Sequence, residues 1–246
     1  MSDEKPKKVD PAYPSSDGLS KAGEMAMGTI GAAAGLVVPV VGPAAVQAIL
    51  KNAVRLPMEV RRNNWFNSIG EGLRELQDRL DGFDPNHLGE NEEFVSIVFE
   101  TTQMAMKTHR AEKLEALRNV VLNTAAGVQI DDVLRGAFLV YVDRFSGLHL
   151  RVLKMLSNPA AVPAMVARAE NMMMGSLSTV LFAALPEIGE NERLLRRVVK
   201  DLEDEGLTDG AALNTTMSGG GLLAKRSTAE GDGFLRFISE PASGPT

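Results

Sequence analysis

The sequence predicts a mainly α-helical protein, in which a helical bundle is followed by a C-terminal α+β unit of helices and short strands. Two observations carry this prediction. Apolar residues recur every three or four positions in several segments between residues 59 and 205, which is the period of an amphipathic helix. After residue 206 the pattern changes to short segments around a glycine-rich stretch, as is typical of strands joined by turns.

Composition and charge narrow the class of protein. A net charge of −6 gives no overall attraction to nucleic acid or anionic lipid, so such binding would need a local basic surface. The absence of cysteine excludes disulfides, thiolate catalysis and sulfur-based zinc sites, and is compatible with a cytoplasmic location. Residues 1–24 are polar and rich in proline, and we expect them, like residues 240–246, to form a disordered tail.

An apolar segment covers residues 25–58, and its uncharged part, Met25–Leu50, is long enough to span a bilayer. Its Gly and Ala content and its prolines instead favour a broken helix or helical hairpin. Insertion at the inner membrane face and burial or self-association in water both stay open. The candidate residues for either role are Gly31, Gly35, Val38 and Gly42.

Two long helices are predicted in the helical body, residues 59–127. The first has a heptad-like seam, and its apolar residues are Phe66, Ile69, Leu73, Leu76, Leu80 and Phe83. The second runs from Asn91 to Ala125. Its middle, Lys107–Lys113, is polar, which predicts either a solvent-exposed stretch or a break in the helix.

Residues 128–239 are predicted to form the C-terminal unit. A helix begins at Asp131, another follows the N-cap residue Ser146, and a third covers Leu177–Leu185. The segment Glu190–Glu205 is strongly amphipathic, and we expect its buried residues to be Leu194, Leu195, Val198, Val199 and Leu202. Beyond Gly206, segments 207–214 and 222–227 are expected to form a ribbon with Ser218–Gly221 as its turn, before a closing helix.

Three phrases of this unit, HLRVLKML (149–156), LLRRVVKDLEDEGL (194–207) and TAEGDGFLRFI (228–238), resemble those of winged-helix domains. The whole chain, with its Gly-rich apolar segment and the phrase HRAEKLEALRN (109–119), also resembles uncharacterised bacterial proteins of the phage-defence-associated abortive-infection alpha type. The second resemblance implies a setting in bacterial stress or phage defence and no particular reaction. It leads us to expect a non-enzymatic interaction protein, with a protein or a second copy as partner.

A basic stripe is the candidate binding site. Arg193, Arg196, Arg197 and Lys200 share one outward face of the predicted helix Glu190–Glu205, and Lys225 and Arg226 are expected on the wing beside it. Such a stripe can neutralise phosphates, but acidic residues crowd the same helix and would repel a duplex. A protein partner and, as the alternative, a cytoplasmic nucleic-acid-binding regulator both stay open.

Other motifs do not predict a cofactor, a metal or a small-molecule substrate. The three histidines, His87, His109 and His149, lack a metal-binding spacing. His109 and Glu112 lie one helical turn apart, which a solvated polar face explains. Gly219–Gly221 and Lys225 match a nucleotide loop only by letter, because no room remains for the βαβ unit that such a loop requires. We interpret these glycines as the tip of a wing.

Overall fold

A computed structural model of the chain describes residues 43–242, with side chains from residue 57 onwards. This part is mainly helical with a two-stranded sheet, which confirms the predicted helical class. It divides into two compact units. The first holds the described residues before Arg110 together with Thr124–Ala126 and Ala242, and the second holds Arg110–Asn123 and Gly127–Pro241. Gly31, Gly35, Val38 and Gly42 lie outside the described residues.

The first unit is built on helix α1 (Pro43–Arg79), a 3-10 helix (Pro85–Glu90) and helix α2 (Glu92–Lys107). Helix α1 starts at Pro43, where a residue without a backbone N–H suits the first turn. It therefore includes the last part of the apolar run and continues through Pro57 into the predicted heptad segment. No helix within residues 43–242 combines the length and the apolar character that crossing a bilayer requires.

The buried face of α1 differs in detail from the predicted seam. Trp65, Ile69 and Leu76 are buried, whereas Phe66 and Leu73 are only half-buried. The Trp65 indole Nε1 donates a hydrogen bond of 2.9 Å to the Thr102 hydroxyl on α2. Burial of the large indole, with its N–H satisfied, sets the rotation of α1 against α2. Trp65 is therefore the buried residue at this point of α1, where the sequence pattern predicted Phe66.

The predicted polar window Lys107–Lys113 is a break between two helices, so the second of the two interpretations is confirmed. Helix α2 ends at Lys107, Thr108 is extended, and helix α3 (Ala111–Ala125) begins three residues later. At the other end of α2, the Asn91 side chain caps the helix by accepting a hydrogen bond of 3.1 Å from the Phe94 N–H. Polar residues with no apolar face to bury favour the end of one helix and the start of another at this point.

The remaining elements comprise the predicted helices of the second unit and four elements that were not predicted, at Pro163–Glu170, Met174–Ser176, Thr216–Ser218 and Gly219–Leu222. They are α4 (Asp132–Arg144), α5 (Gly147–Ser157), α6 (Pro163–Glu170), β1 (Met174–Ser176), α7 (Leu177–Ala184), α8 (Glu192–Asp204), β2 (Thr216–Ser218), α9 (Gly219–Leu222) and α10 (Ala229–Ile238). The Asp131 side chain caps α4, and the helix after Ser146 begins where predicted. Gly206, with φ of +69°, follows α8 as a left-handed C-terminal residue.

The predicted ribbon of segments 207–214 and 222–227, with Ser218–Gly221 as its turn, is wrong. Strand β1 pairs in antiparallel fashion with β2, in the register Met174 with Ser218 and Ser176 with Thr216. The two predicted ribbon segments meet at a single bridge, Thr208 with Ser227. Gly219–Gly221 form the first turn of α9, because their φ values are not positive and the Ser218 hydroxyl accepts a hydrogen bond from the Gly221 N–H.

An aromatic cluster joins α4 to α10 inside the second unit. Phe138 and Phe234 are fully buried, and their ring centroids lie 5.3 Å apart. Tyr141 stacks on Phe145 at 5.5 Å and meets the edge of Phe234 at 5.7 Å. Such offset and edge-to-face pairs contribute about 0.5–1.5 kcal/mol each beyond the burial of their area. The cluster makes the closing helix part of the core.

The start of α10, where the phrase TAEGDGFLRFI lies, approaches the backbone at Leu207 so closely that it requires a glycine. The Thr228 hydroxyl accepts a hydrogen bond of 3.0 Å from the Gly231 N–H and donates one of 2.7 Å to the Gly206 carbonyl. The Thr228 N–H donates to the Leu207 carbonyl at 3.1 Å. A Cβ atom at Gly231 would overlap that same carbonyl oxygen, so only glycine allows the approach.

Two buried asparagines of α3 hold the other end of α10. The Asn119 amide donates a hydrogen bond of 3.0 Å to the Ile238 carbonyl. The Asn123 amide donates to the Phe237 carbonyl at 2.9 Å and to the Ser239 carbonyl at 2.7 Å. The last carbonyls of a helix have no partner within the helix, so these side chains satisfy groups that burial would otherwise leave unpaired. Residues 110–123 are thereby an integral part of the second unit.

We expect Gly231→Ala to lower the free energy of unfolding by about 1–3 kcal/mol, since the new methyl group must displace the Leu207 backbone. Gly136→Ala is the matched control, because Gly136 lies within α4 and a Cβ there meets no atom within 4 Å. This control should gain about 0.5–1 kcal/mol from helix propensity. Urea unfolding followed by circular dichroism measures both. Equal stability of Gly231→Ala and the wild type would contradict the steric argument.

Candidate functional site

Helix α8 places the predicted basic stripe on the surface of the second unit. The Asn191 side chain caps the helix by accepting a hydrogen bond of 3.1 Å from the Leu194 N–H. The buried side is formed by Leu195, Val198, Val199 and Leu202. Leu194, which was expected to face inward, is 38% exposed, because it lies at the border of the arc that these four residues define.

The four cations of the stripe, Arg193, Arg196, Arg197 and Lys200, are exposed and lie on one helix face as predicted. Three of them pair with a carboxylate one turn away on the same helix. The distances are 3.9 Å from Arg196 Nη2 to Glu192 Oε2, 2.9 Å from Arg197 Nε to Asp201 Oδ2, and 2.7 Å from Lys200 Nζ to Asp204 Oδ1. The face therefore alternates in charge instead of being uniformly positive.

The ion pairs change the electrostatics of the site more than its stability. Hydrogen bonding and charge from Asp201 raise the pKa of Arg197, and Asp204 does the same for Lys200. The Arg197 guanidinium in turn lowers the pKa of Asp201. Exposed pairs of this spacing contribute only about 0.3–0.5 kcal/mol each. Their main effect is that an approaching phosphate would have to compete with carboxylates already in place.

The two cations expected on the wing do not extend the stripe. Arg226 is only 8% exposed, and its guanidinium donates hydrogen bonds to the carbonyls of Ala224 and Gly221 at 2.6 and 2.7 Å. Burial lowers the pKa of Arg226, although the group stays cationic. Lys225 forms an ion pair with Asp232 on α10. The placement of Arg226 on an exposed wing is therefore wrong, because its donors satisfy carbonyls around α9.

His149 is at the centre of a polar network that the sequence pattern did not single out. Its Nδ1 accepts a hydrogen bond of 3.2 Å from the Ser146 N–H, and its Nε2 lies 3.3 Å from Asp201 Oδ2 on α8. The ring also stacks on Phe145 with 5.0 Å between centroids. These partners fit the neutral imidazole with its proton on Nε2. The signal available in the sequence was the spacing Ser146-x-x-His149, which places a side-chain acceptor at the third position of a helix.

The chain Ser146, His149, Asp201 has the residue types of a hydrolytic triad but not its geometry. The Ser146 hydroxyl lies 2.8 Å from Nδ1, the nitrogen whose lone pair already accepts the Ser146 backbone N–H. A general base needs that lone pair free for the proton of the nucleophile. The arrangement is that of a helix cap tied to a neighbouring helix.

The other two histidines belong to the first unit. His109 is exposed in the loop between α2 and α3. His87 is exposed and sits between two carboxylates, 3.5 Å from Asp84 and 3.7 Å from Glu90. Within residues 43–242, no three side chains of His, Cys, Asp or Glu come together as metal ligands.

A shallow cleft of about 640 Å³ adjoins α8, with Arg196, Lys200 and Glu203 on one side and Gly210–Thr215 on the other. It lacks the enclosed apolar lining that small-molecule sites use to bury most of a ligand.

No family model matches the chain, and neither a curated protein nor a solved structure matches it.

The His149 network predicts a pH dependence of stability. Burial lowers the pKa of His149 below its ordinary value of 6.5, against the opposing effect of Asp201. The native chain therefore keeps the neutral imidazole while the unfolded chain binds a proton. The stabilisation is fully present above about pH 6.5 and is lost as the pH falls towards the lowered native pKa.

When the pH is lowered from about 7.5 to about 5.5, we expect the unfolding free energy of His149→Gln to fall by less than that of the wild type. Glutamine keeps an acceptor for the Ser146 N–H but does not titrate in this range. The measured quantity is the difference in unfolding free energy between the two pH values. An identical pH dependence in both proteins would show that His149 does not carry the effect.

Proposed function

We propose that the chain is a non-enzymatic interaction protein of bacterial stress or phage defence, whose second unit is a winged-helix-like module that binds a protein partner. The observation that carries this proposal is the alternating charge of the α8 face. Three intrahelical ion pairs leave a surface with donors and acceptors of both signs. A protein surface with the complementary pattern can match it, whereas a phosphate backbone offers only negative charge.

The order of elements supports a winged-helix-like module. Helices α7 and α8 follow one another as in a helix-turn-helix pair, with a longer connection, residues 185–191, that contains a 3-10 helix (Pro186–Ile188). Strand β1 precedes α7 and pairs with β2, which follows α8. The bridge between Thr208 and Ser227 takes the place of a longer wing. Because the wing is short and the Arg226 guanidinium is buried, little basic surface is added beside the stripe, which favours a protein partner over nucleic acid.

The setting in bacterial stress or phage defence rests on the resemblance of the chain alone. Association with the inner membrane face through the apolar segment, residues 25–58, remains part of the proposal.

The first test separates a protein partner from nucleic acid. We expect the wild-type chain to leave the fluorescence anisotropy of labelled duplex DNA and single-stranded RNA unchanged, even at low salt. Arg196→Glu with Arg197→Glu, folded by circular dichroism, should behave in the same way. Binding by the wild type that weakens steeply with salt and is lost in the double variant would overturn the proposal in favour of a nucleic-acid-binding regulator.

The second test looks for the partner directly in bacterial cells. A photoreactive amino acid at position 196 on α8 should form a discrete cross-linked product with another protein. The same amino acid at Lys154, an exposed position on α5, is the matched control. Arg197→Glu should reduce the product at position 196 without changing the amount of folded chain. Equal labelling at the two positions would contradict a specific contact on α8.

A further inference from the structure

A cleft of about 230 Å³ lies between the start of α4 and helix α10, within the second unit. Its floor is formed by Phe138 and Phe237, which are both buried. Val128 and Leu134 line it as exposed apolar side chains. An apolar void of about 150 Å³ is enough to hold a benzene ring. The cleft therefore has room for one ring, or for a branched alkyl group, with a small substituent.

Gly233 on α10 keeps space open beside the floor of this cleft. A Cβ atom at Gly233 would lie 3.6 Å from Phe138 Cζ, which is an ordinary contact distance. Its φ is not positive, so the backbone does not require glycine either. Alanine would favour the helix more than glycine does. In contrast to Gly231, the effect of this glycine is therefore to leave the Phe138 ring uncovered on the side of the cleft.

Arg236 is the cation of the cleft, and it is exposed on α10. Among the residues that the structure describes, its side chain forms no ion pair. Asp232, one turn earlier on the same helix, is already paired with Lys225. The N–H donors of the Arg236 guanidinium are therefore left for solvent or for a ligand.

Two acids, Asp131 and Glu230, also line the cleft. The Asp131 carboxylate caps α4, because it accepts a hydrogen bond of 2.9 Å from the Val133 N–H. Glu230 lies in the first turn of α10, about 9 Å along the helix axis from Arg236. A Cβ atom at Gly206 would lie 4.0 Å from its Oε2, so this carboxylate is close to the end of α8. Positive charge therefore dominates at the Arg236 end of the cleft.

We infer that this cleft binds a small apolar carboxylate. The ring or alkyl group of the ligand lies against Phe138 and Phe237, and its carboxylate binds the Arg236 guanidinium. Guanidinium and carboxylate form two parallel, charge-assisted hydrogen bonds, which fix the orientation of the ligand. Because the ligand contacts α4 and α10 together, its binding stabilises the second unit. This inference goes beyond the proposed function and does not depend on the face of α8.

The size and the charge of the cleft favour a small molecule over a segment of another protein. A standard protein interface covers about 800 Å² on each partner, whereas this cleft holds a single ring. An apolar lining with one placed charge is the usual composition of a small-molecule site. A neutral side chain from a partner would leave the Arg236 guanidinium unused.

Thermal unfolding of the full chain at about pH 7.5, where carboxylates are ionised, tests the class of ligand. The three probes, benzoate, benzyl alcohol and benzylamine, share one ring and differ in charge. We expect benzoate to raise the melting temperature in a saturable manner. Benzyl alcohol should need an about tenfold higher concentration, because it makes no charge-assisted hydrogen bond. No shift with benzoate at high millimolar concentration would overturn the inference, as would an equal or larger shift with either of the other probes.

Three variants locate the site by calorimetric titration with benzoate. Arg236→Gln should weaken binding about tenfold, whereas Arg168→Gln, the matched control at an exposed position on α6, should leave it unchanged. Gly233→Ala should unfold at a higher temperature without ligand and yet bind benzoate more weakly, because its methyl group occupies space beside Phe138. Wild-type affinity in Gly233→Ala, or equal losses in the two arginine variants, would overturn the inference.

A fourth probe distinguishes a partner's side chain from a small acid. N-acetylphenylalanine amide presents a phenylalanine side chain without a free carboxylate, as a protein partner would. We expect it to bind more weakly than benzoate, since it offers no anion to Arg236. Tighter binding of this amide than of benzoate would assign the cleft to a protein partner and overturn the inference.

Discussion

The second unit depends on a backbone-to-backbone approach at Gly231. Because this residue has no Cβ, the first turn of α10 can lie against the Leu207 carbonyl, immediately after the left-handed Gly206 that follows α8. The approach carries Phe234 into the aromatic cluster on α4, where it is fully buried. A substitution at this one position would therefore act on the end of α8, the seat of α10 and the aromatic core together. Close contacts between backbones cannot be relieved by choosing another rotamer.

The far end of α10 is held by a different kind of interaction. Its terminal carbonyls are buried, and buried acceptors without partners are costly, so the amides of Asn119 and Asn123 replace the water that these carbonyls lose. Both asparagines lie on α3, far away in sequence. The unit is closed by packing at one end of α10 and by hydrogen bonds at the other. The hydrogen bonds of Asn119 and Asn123 therefore assign α3 to the second unit, because an apolar stripe alone could pack against several neighbouring helices.

The parts of the fold that depend on local periodicity and capping could be predicted from the sequence. The helices after Asp131 and Ser146 begin where their capping residues indicate, and the polar window after Lys107 is a break. The errors arise where tertiary contacts decide between local options. Three glycines suit both a tight turn and a helix start, and the neighbouring Ser218 selects the helix. A charged side chain such as that of Arg226 is expected at the surface, yet carbonyls around α9 accept hydrogen bonds from its guanidinium and keep it buried. The centring of α1 on Trp65 likewise depends on the Thr102 hydroxyl, which no local pattern contains.

The charge of the candidate site depends on how cations and acids pair along α8, which a count of cations leaves out. A stripe of Arg193, Arg196, Arg197 and Lys200 reads as positive when cations are counted, but binding depends on the field that a partner meets. The acids Glu192, Asp201 and Asp204 of α8 itself lie one turn from these cations, so the helix presents paired charges. His149 strengthens this arrangement, because its Nε2 lies 3.3 Å from the carboxylate that also binds Arg197, so Asp201 stays turned towards the stripe. Each exposed pair contributes only about 0.3–0.5 kcal/mol, so its effect on an approaching phosphate comes from the negative charge of the carboxylate and not from the cost of breaking the pair. The surface is therefore suited to a partner with ordered charges of both signs, and recognition would depend on the spacing of the pairs more than on net charge.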